Sequence, residues 1–261
     1  MDEAGDEITR SLADKLSYLL SGDVVAAASS ISKAQGPLFP CEEAEIAAAA
    51  PVRKAEFRAG RTVARSALAA LGVAAQPIPR TNDRRPVWPA GIVGSITHSG
   101  TLCAAIAARN EHVLGLGVDL EPATPLEPSL YSTVGRPNER VTFEYPIKSG
   151  ADSVDRGKLV FAIKEAVFKA YYPVTEVFLD YQDATITVDP GGQFSVRLVQ
   201  RVPALPGHPI FLGRWALVGD HILAVLRLKR VVDAPPRQRD AASLENRLLK
   251  KRMLGDEGDG E

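Results

Sequence analysis

Residues 102–121 read Leu-Cys-Ala-Ala-Ile-Ala-Ala-Arg-Asn-Glu-His-Val-Leu-Gly-Leu-Gly-Val-Asp-Leu-Glu. Two apolar runs, 102–108 and 113–120, flank the polar tetrapeptide 109–112, which is the pattern of two strands joined by a short connection. Side chains alternate faces along a strand, so Asp119 and Glu121 point one way while Val118 and Leu120 point the other. Two neighbouring carboxylates repel each other unless a cation stands between them, and ligation by oxygen alone suits Mg²⁺. The plain alternative is a solvated strand end before Pro122.

Upstream of this stretch the chain is helical. Leu12, Leu16, Leu19 and Leu20 recur at helical spacing over 6–20, with Gly22 as a stop. A Glu/Ala-rich helix over 42–50 is interrupted by Pro51, and a second helix runs over 52–71 to Gly72. Residues 75–94 hold four prolines and several arginines and read as an irregular basic loop, followed by a tight loop over 94–100. Downstream, 121–155 lacks apolar periodicity and reads as loop, and a strong helix covers 156–172 and closes at Pro173. Paired runs then surround Asp189-Pro190-Gly191-Gly192 and Gly219-Asp220 as local hairpins. Helices followed by antiparallel hairpins predict an α+β fold. The expected divisions are an N-terminal half over 1–120, a C-terminal half over 121–232, and a charged, mobile tail over 233–261 containing a short helix at 243–254.

Three further clusters could do chemistry. On the 156–172 helix, Val160, Ile163, Val167, Ala170 and Tyr171 form the core stripe. Glu165 lies opposite them with Phe161, Lys169 and Tyr172, and Lys164 stands to one side. A solvated face seldom carries two aromatics beside a Glu and a Lys; an exposed Glu–Lys pair is the bland alternative. Arg53, Phe57, Gly60 and Arg61 share a side of the 52–71 helix, where Gly60 suggests the close approach of another group. Arg80, Arg84 and Arg85 follow in the basic loop, and arginine forks suit phosphate. Finally, Ser95, Thr97 and His98 cluster between glycines, with donors available to an anion.

Composition excludes several classes. The 261 residues hold 31 Lys and Arg against 32 Asp and Glu, a net charge of −1, so no global attraction to nucleic acid or anionic membrane is expected. No apolar run approaches the roughly 20 residues that span a bilayer. The acidic first residues do not resemble a secretion signal. Cys41 and Cys103 cannot build a disulfide framework and match no zinc pattern, so a reduced, cytoplasmic protein is expected.

Taken in order, these clusters resemble the 4′-phosphopantetheinyl transferases of the surfactin type, in the branch of the enterobactin synthase D component. The resemblance is carried by 53–65, Arg84-Arg85-Pro86-Val87-Trp88-Pro89, Gly94-Ser95-Ile96-Thr97-His98, Gly117-Val118-Asp119-Leu120-Glu121 and 161–173. It spans residues 38–230, and the Gly-Val-Asp-x-Glu and Lys-Glu-Ala-x-x-Lys pair is its most specific part. The departures are Phe161 for a frequent Trp, Ser99 for a frequent Cys, and Asp83 where some members carry Lys.

The resemblance implies two pseudo-twofold-related α+β halves with coenzyme A between them. It implies transfer of the 4′-phosphopantetheine arm to a serine of an apo acyl or peptidyl carrier protein with Mg²⁺ or Mn²⁺, by a cytoplasmic monomer that binds neither nucleic acid nor membrane. By position, Asp119, Glu121 and Glu165 are the expected metal ligands. Lys164 and Lys169 are expected beside the diphosphate, with Lys169 steadying the leaving group and Glu165 acting as base. Arg53, Arg61, Arg84, Arg85, Ser95, Thr97 and His98 are expected around the nucleotide. The alternatives are a non-catalytic binding homologue that kept the pocket, and a phosphodiesterase using the same acids to activate water.

Overall fold

The computed structural model describes residues 3–20, 22–149, 152–199, 203, 205 and 210–230. The expected tail over 233–261, with its 243–254 helix, lies outside the described residues. The fold is α+β with antiparallel sheets, as the hairpins predict.

A helix α1 (Glu3–Leu20) leads into strand β1 (Val24–Ser30), the short helix α2 (Pro40–Glu45) and the long helix α3 (Pro51–Ala70). Strands β2 (Ile92–Ser99), β3 (Leu102–Arg109) and β4 (Val113–Pro122) follow. Between β4 and the long helix α6 (Arg156–Thr175) lie short helices α4 (Tyr131–Val134) and α5 (Pro137–Arg140) and the hairpin β5 (Ile147–Ser149) and β6 (Asp152–Val154). Strands β7 (Ala184–Val188), β8 (Gln193–Leu198), β9 (Phe211–Val218) and β10 (His221–Lys229) complete it.

β3 and β4 do not form a hairpin pair. β3 is the centre of a sheet ordered β1-β3-β2, while β4 is the edge of a sheet ordered β4-β10-β9-β8-β7. β3 is buried on both faces. Cys103, Ala105 and Ala107 pack toward α3, and Leu102, Ala104, Ile106 and Ala108 pack toward α1. That double burial explains its unbroken apolar sequence. Residues 94–100, expected as a loop, mostly belong to β2, and β1, built largely of Ala and Ser, carries no apolar alternation to announce it. α6 passes through Pro173 and ends at Thr175; a proline in the last turn removes one hydrogen bond without ending the helix there.

Register then fixes which way β4 faces. Leu116, Val118 and Leu120 enter the core shared with Leu12 and Leu16 of α1. The alternate positions, Gly115, Gly117, Asp119 and Glu121, therefore face the opposite side, where α6 lies.

Candidate active site

α6 lies directly on β4 because Gly117 has no side chain: a Cβ there would stand 1.8 Å from the Ala166 carbonyl oxygen. This crossing brings the Glu165 turn of α6 over the strand, two residues before Asp119. Gly60 makes the matching contact in the other half, where its missing Cβ would stand 3.1 Å from Ile96 of β2. Between the two helices β2 and β4 run side by side without a backbone ladder. The hydroxyls of Ser95 and Thr97 bridge them, each accepting at 3.2 Å, from the Val118 and Leu120 N–H respectively.

Each of the three carboxylates meets a donor of the protein. Lys169 Nζ donates to Asp119 Oδ1 at 2.6 Å and to the Val118 carbonyl at 3.1 Å. Lys158 Nζ donates to Glu121 Oε2 at 2.7 Å. The Tyr181 hydroxyl donates to Glu165 Oε1. Asp119 Oδ2 is buried and has no hydrogen-bond partner. Burial, reinforced by the Glu165 charge, pushes the Asp119 carboxyl above its ordinary range despite Lys169. With their side chains turned to these donors, no three acidic, histidine or cysteine side chains among the described residues form a metal-holding group as placed.

Lys164 goes elsewhere. It is 4 % exposed, and its three ammonium hydrogens are used by the Val134 carbonyl at 2.8 Å, Glu139 Oε2 at 2.7 Å and the Tyr181 carbonyl at 2.8 Å. An ammonium group has three donors, so none is left for a diphosphate. The structure thus places Lys164, expected beside the diphosphate, outside the cavity lining: the side of α6 it occupies is covered by α4, α5 and the turn over Tyr181–Asp183.

Basic groups line the site as well. The imidazole of His98 meets Arg53 Nη1 through Nε2 at 3.0 Å, with Glu56 at 3.9 Å. Burial chiefly, helped by Arg53 and Lys169, holds the imidazole below its ordinary pKa against the opposing pull of Glu56. Arg61 is buried, stacked 4.2 Å over the Phe57 ring, and its Nε makes no hydrogen bond, with Glu42 Oε1 4.0 Å away. Its desolvated guanidinium is pulled down to about 10, with Glu42 opposing the shift. In the basic loop, Arg85 is engaged: its Nε bonds Asp83 Oδ2 at 2.8 Å and its guanidinium covers the Tyr172 ring at 4.7 Å. Arg84, at a left-handed φ of 70°, is exposed.

The site opens onto one cavity of about 760 Å³ between α3, β2, β4 and α6. Arg53, Arg61, Arg84, Arg85 and His98 line it together with Asp119, Glu121 and Lys169, and Ser95 and Thr97 stand at the seam of β2 and β4. Glu165, half-buried, stands beyond that lining with Tyr181. Sequence reasoning missed Lys158 and Tyr181. Lys158 precedes Glu165 by seven residues, two helical turns, and spacing alone could have found it. Tyr181 lies past the helix end and left no signal.

Two family profiles match the chain, the 4′-phosphopantetheinyl transferase N-terminal domain over residues 41–108 and the 4′-phosphopantetheinyl transferase superfamily over 115–225. The chain is 39 % identical to the 4′-phosphopantetheinyl transferase Svp of Streptomyces mobaraensis, over 69 % of this chain and 74 % of that protein. It is 31 % identical to the 4′-phosphopantetheinyl transferase PptT of Mycobacterium tuberculosis, over 73 % and 86 % respectively. It is also 34 % identical to the enterobactin synthase component D of Salmonella typhimurium, over 46 % and 48 %. Among the described residues no helix is long and apolar enough to cross a membrane.

Proposed function

The chain belongs to the 4′-phosphopantetheinyl transferase superfamily, and from that premise we propose that it transfers the 4′-phosphopantetheine arm of coenzyme A to a serine of an apo acyl or peptidyl carrier protein, releasing 3′,5′-ADP. The observation that carries the reading is a single cavity lined by Arg53, Arg61, Arg84, Arg85 and His98 together with Asp119, Glu121 and Lys169. That lining offers cations to the phosphates of an elongated anion and hard oxygen donors to a divalent ion beside them.

In this reading the serine oxygen forms a bond to the phosphorus that carries pantetheine. The bond from that phosphorus to the bridging oxygen breaks, and the electron pair leaves with 3′,5′-ADP. Glu165 takes the serine proton. Lys169, whose ammonium faces the cavity between Thr97 and Asp119, stabilises the charge gathering on the leaving oxygen. Arg53, Arg61 and His98 hold the 3′-phosphate end, joined by Arg84, while Arg85 fixes the loop against α6.

Asp119, Glu121 and Glu165 would hold Mg²⁺ or Mn²⁺. The fit rests on their hard oxygen donors and on the buried, unpartnered Asp119 Oδ2. When bound, the ion would neutralise the diphosphate and polarise its oxygens. Both walls of the cleft come from one chain, so the working unit is a monomer. Carrier contacts fall in the segment between β4 and α6, where Leu130, Val141 and Tyr145 are exposed apolar side chains.

The test is incubation with coenzyme A, Mg²⁺ and a panel of apo carriers, read by intact mass. A carrier that gains the arm, a chelator that stops the gain, and a folded but inactive Glu165→Gln are expected. Free phosphopantetheine without any modified protein would overturn the transferase reading.

A further inference from the structure

Tyr181 and Lys164 form one connected device behind Glu165. The single turn Tyr181–Asp183 is braced within itself: Asp180 accepts from the Gln182 N–H at 2.8 Å, and Asp183 accepts from the Asp180 N–H at 3.0 Å. Gln182 Nε2 ties it to the Thr133 carbonyl at 2.8 Å. Lys164 completes the hold by donating to the Tyr181 carbonyl at 2.8 Å while anchored on Glu139. The Tyr181 ring lies along α6 against Phe161, with centroids 5.8 Å apart, and this aims its hydroxyl at Glu165 one turn further on.

Resting on the transferase reading above, we infer that Tyr181 is a positioning residue of the reaction: its hydroxyl sets the Glu165 carboxylate, and Lys164 acts through it by fixing the turn that carries the ring. With Oε1 held, the carboxylate cannot rotate about its last torsion, and Oε2 is presented at one place. A lysine adjacent in sequence to the reactive glutamate, about 100° away around the helix, thereby acts on it through Tyr181.

Tyr181→Phe keeps the ring against Phe161 and removes only the hydroxyl. Because a hydrogen bond to a charged group is lost, kcat for carrier modification should fall about tenfold or more while KM for coenzyme A stays within about twofold. Mn²⁺ affinity of the coenzyme A-free protein, titrated by electron paramagnetic resonance, should weaken several-fold. Lys164→Met combined with Glu139→Met removes the buried pair without leaving a lone charge and should reproduce that fall. Adding Tyr181→Phe to this double variant should then change kcat little, since groups acting as a unit are not additive. A Tyr181→Phe protein with wild-type kcat and Mn²⁺ affinity overturns the inference, and full additivity removes Lys164 from it. A wild-type chain that modifies no carrier overturns the transferase reading as well, a different outcome from an active wild type with an indifferent variant.

Discussion

The two halves of the molecule contain the same buried device with different cations. In the first, α2 begins at Pro40 and its Glu42 accepts from the Phe39 N–H at 2.9 Å, the Ile78 N–H at 2.8 Å and Arg65 Nη1 at 2.9 Å. In the second, α5 begins at Pro137 and its Glu139 accepts from the Arg136 N–H at 2.8 Å, the Ile186 N–H at 2.6 Å and Lys164 Nζ at 2.7 Å. Each glutamate pins a short helix, a distant strand or loop and a 20-residue helix to one another. The difference lies in what the long helix is left to present. α3 turns Arg61 and Arg53 to the cavity; α6 turns Lys169 to it and holds Glu165 just beyond the lining, on Tyr181, the groups to which the proposed reaction gives anion binding on one side and charge stabilisation and proton transfer on the other.

The sharpest way to break this comparison is to remove each glutamate. Lys164 and Glu139 have side chains only 3 % and 4 % exposed, so Glu139→Ala strands an ammonium in the core. A loss of about 3–5 kcal/mol is expected. Arg65 is 12 % exposed and keeps a bond to the Pro37 carbonyl at 2.7 Å, and Arg61, 4.0 Å from Glu42, keeps its stack on Phe57, so Glu42→Ala leaves both cations partly satisfied. A smaller loss of about 1–3 kcal/mol follows. Urea denaturation of the two variants checks the order; equal losses would show that solvent reaches both sites alike.

The contrast also shows what the sequence could carry. Asp119 and Glu121 were legible because strand alternation is local, and Gly60 because a glycine in a regular element marks a close approach; the contact that Gly117 admits to α6 shows only in the structure. The side of α6 that Lys164 faces was not legible. Its position on the helical wheel is set by α6, but what covers that position is set by segments 17 to 30 residues away, contributed by Val134, Glu139 and Tyr181. Sheet membership of β3 and β4 failed for the same reason. The pairing of β4 with β10 spans about a hundred residues, and no nearby residue announces it.

If one half binds and the other reacts, lesions should separate in the kinetics. Lys169→Met leaves the nucleotide seat intact and should lower kcat by about a hundredfold, with KM for coenzyme A changed far less. Arg61→Met removes a desolvated guanidinium from the cavity wall on α3 and should raise that KM by about tenfold, with kcat retained to within a few-fold. Steady-state kinetics with one apo carrier suffices. A kcat defect in Arg61→Met as large as that in Lys169→Met would dissolve the division of labour.

The smallest effect expected is a pH slope confined to the first half. Burial, with the cations of Arg53 and Lys169, holds His98 below its ordinary value of 6.5, so at neutral pH its imidazole is uncharged. In the ligand-free protein a depressed histidine contributes stability that is present above the unfolded pKa and is lost as pH falls through 6.5 toward the folded value. A phosphate dianion seated beside it reverses the preference and favours imidazolium. Affinity for 3′,5′-ADP should therefore rise a few-fold as pH drops from about 7.5 to about 6, with net proton uptake on binding. Calorimetry in buffers of different ionisation enthalpy measures that uptake. 5′-ADP, which lacks the 3′-phosphate, should show a flatter slope, and His98→Gln should flatten the slope for 3′,5′-ADP. A slope that survives His98→Gln would move the titrating group to the ligand phosphate itself and take His98 out of the seat.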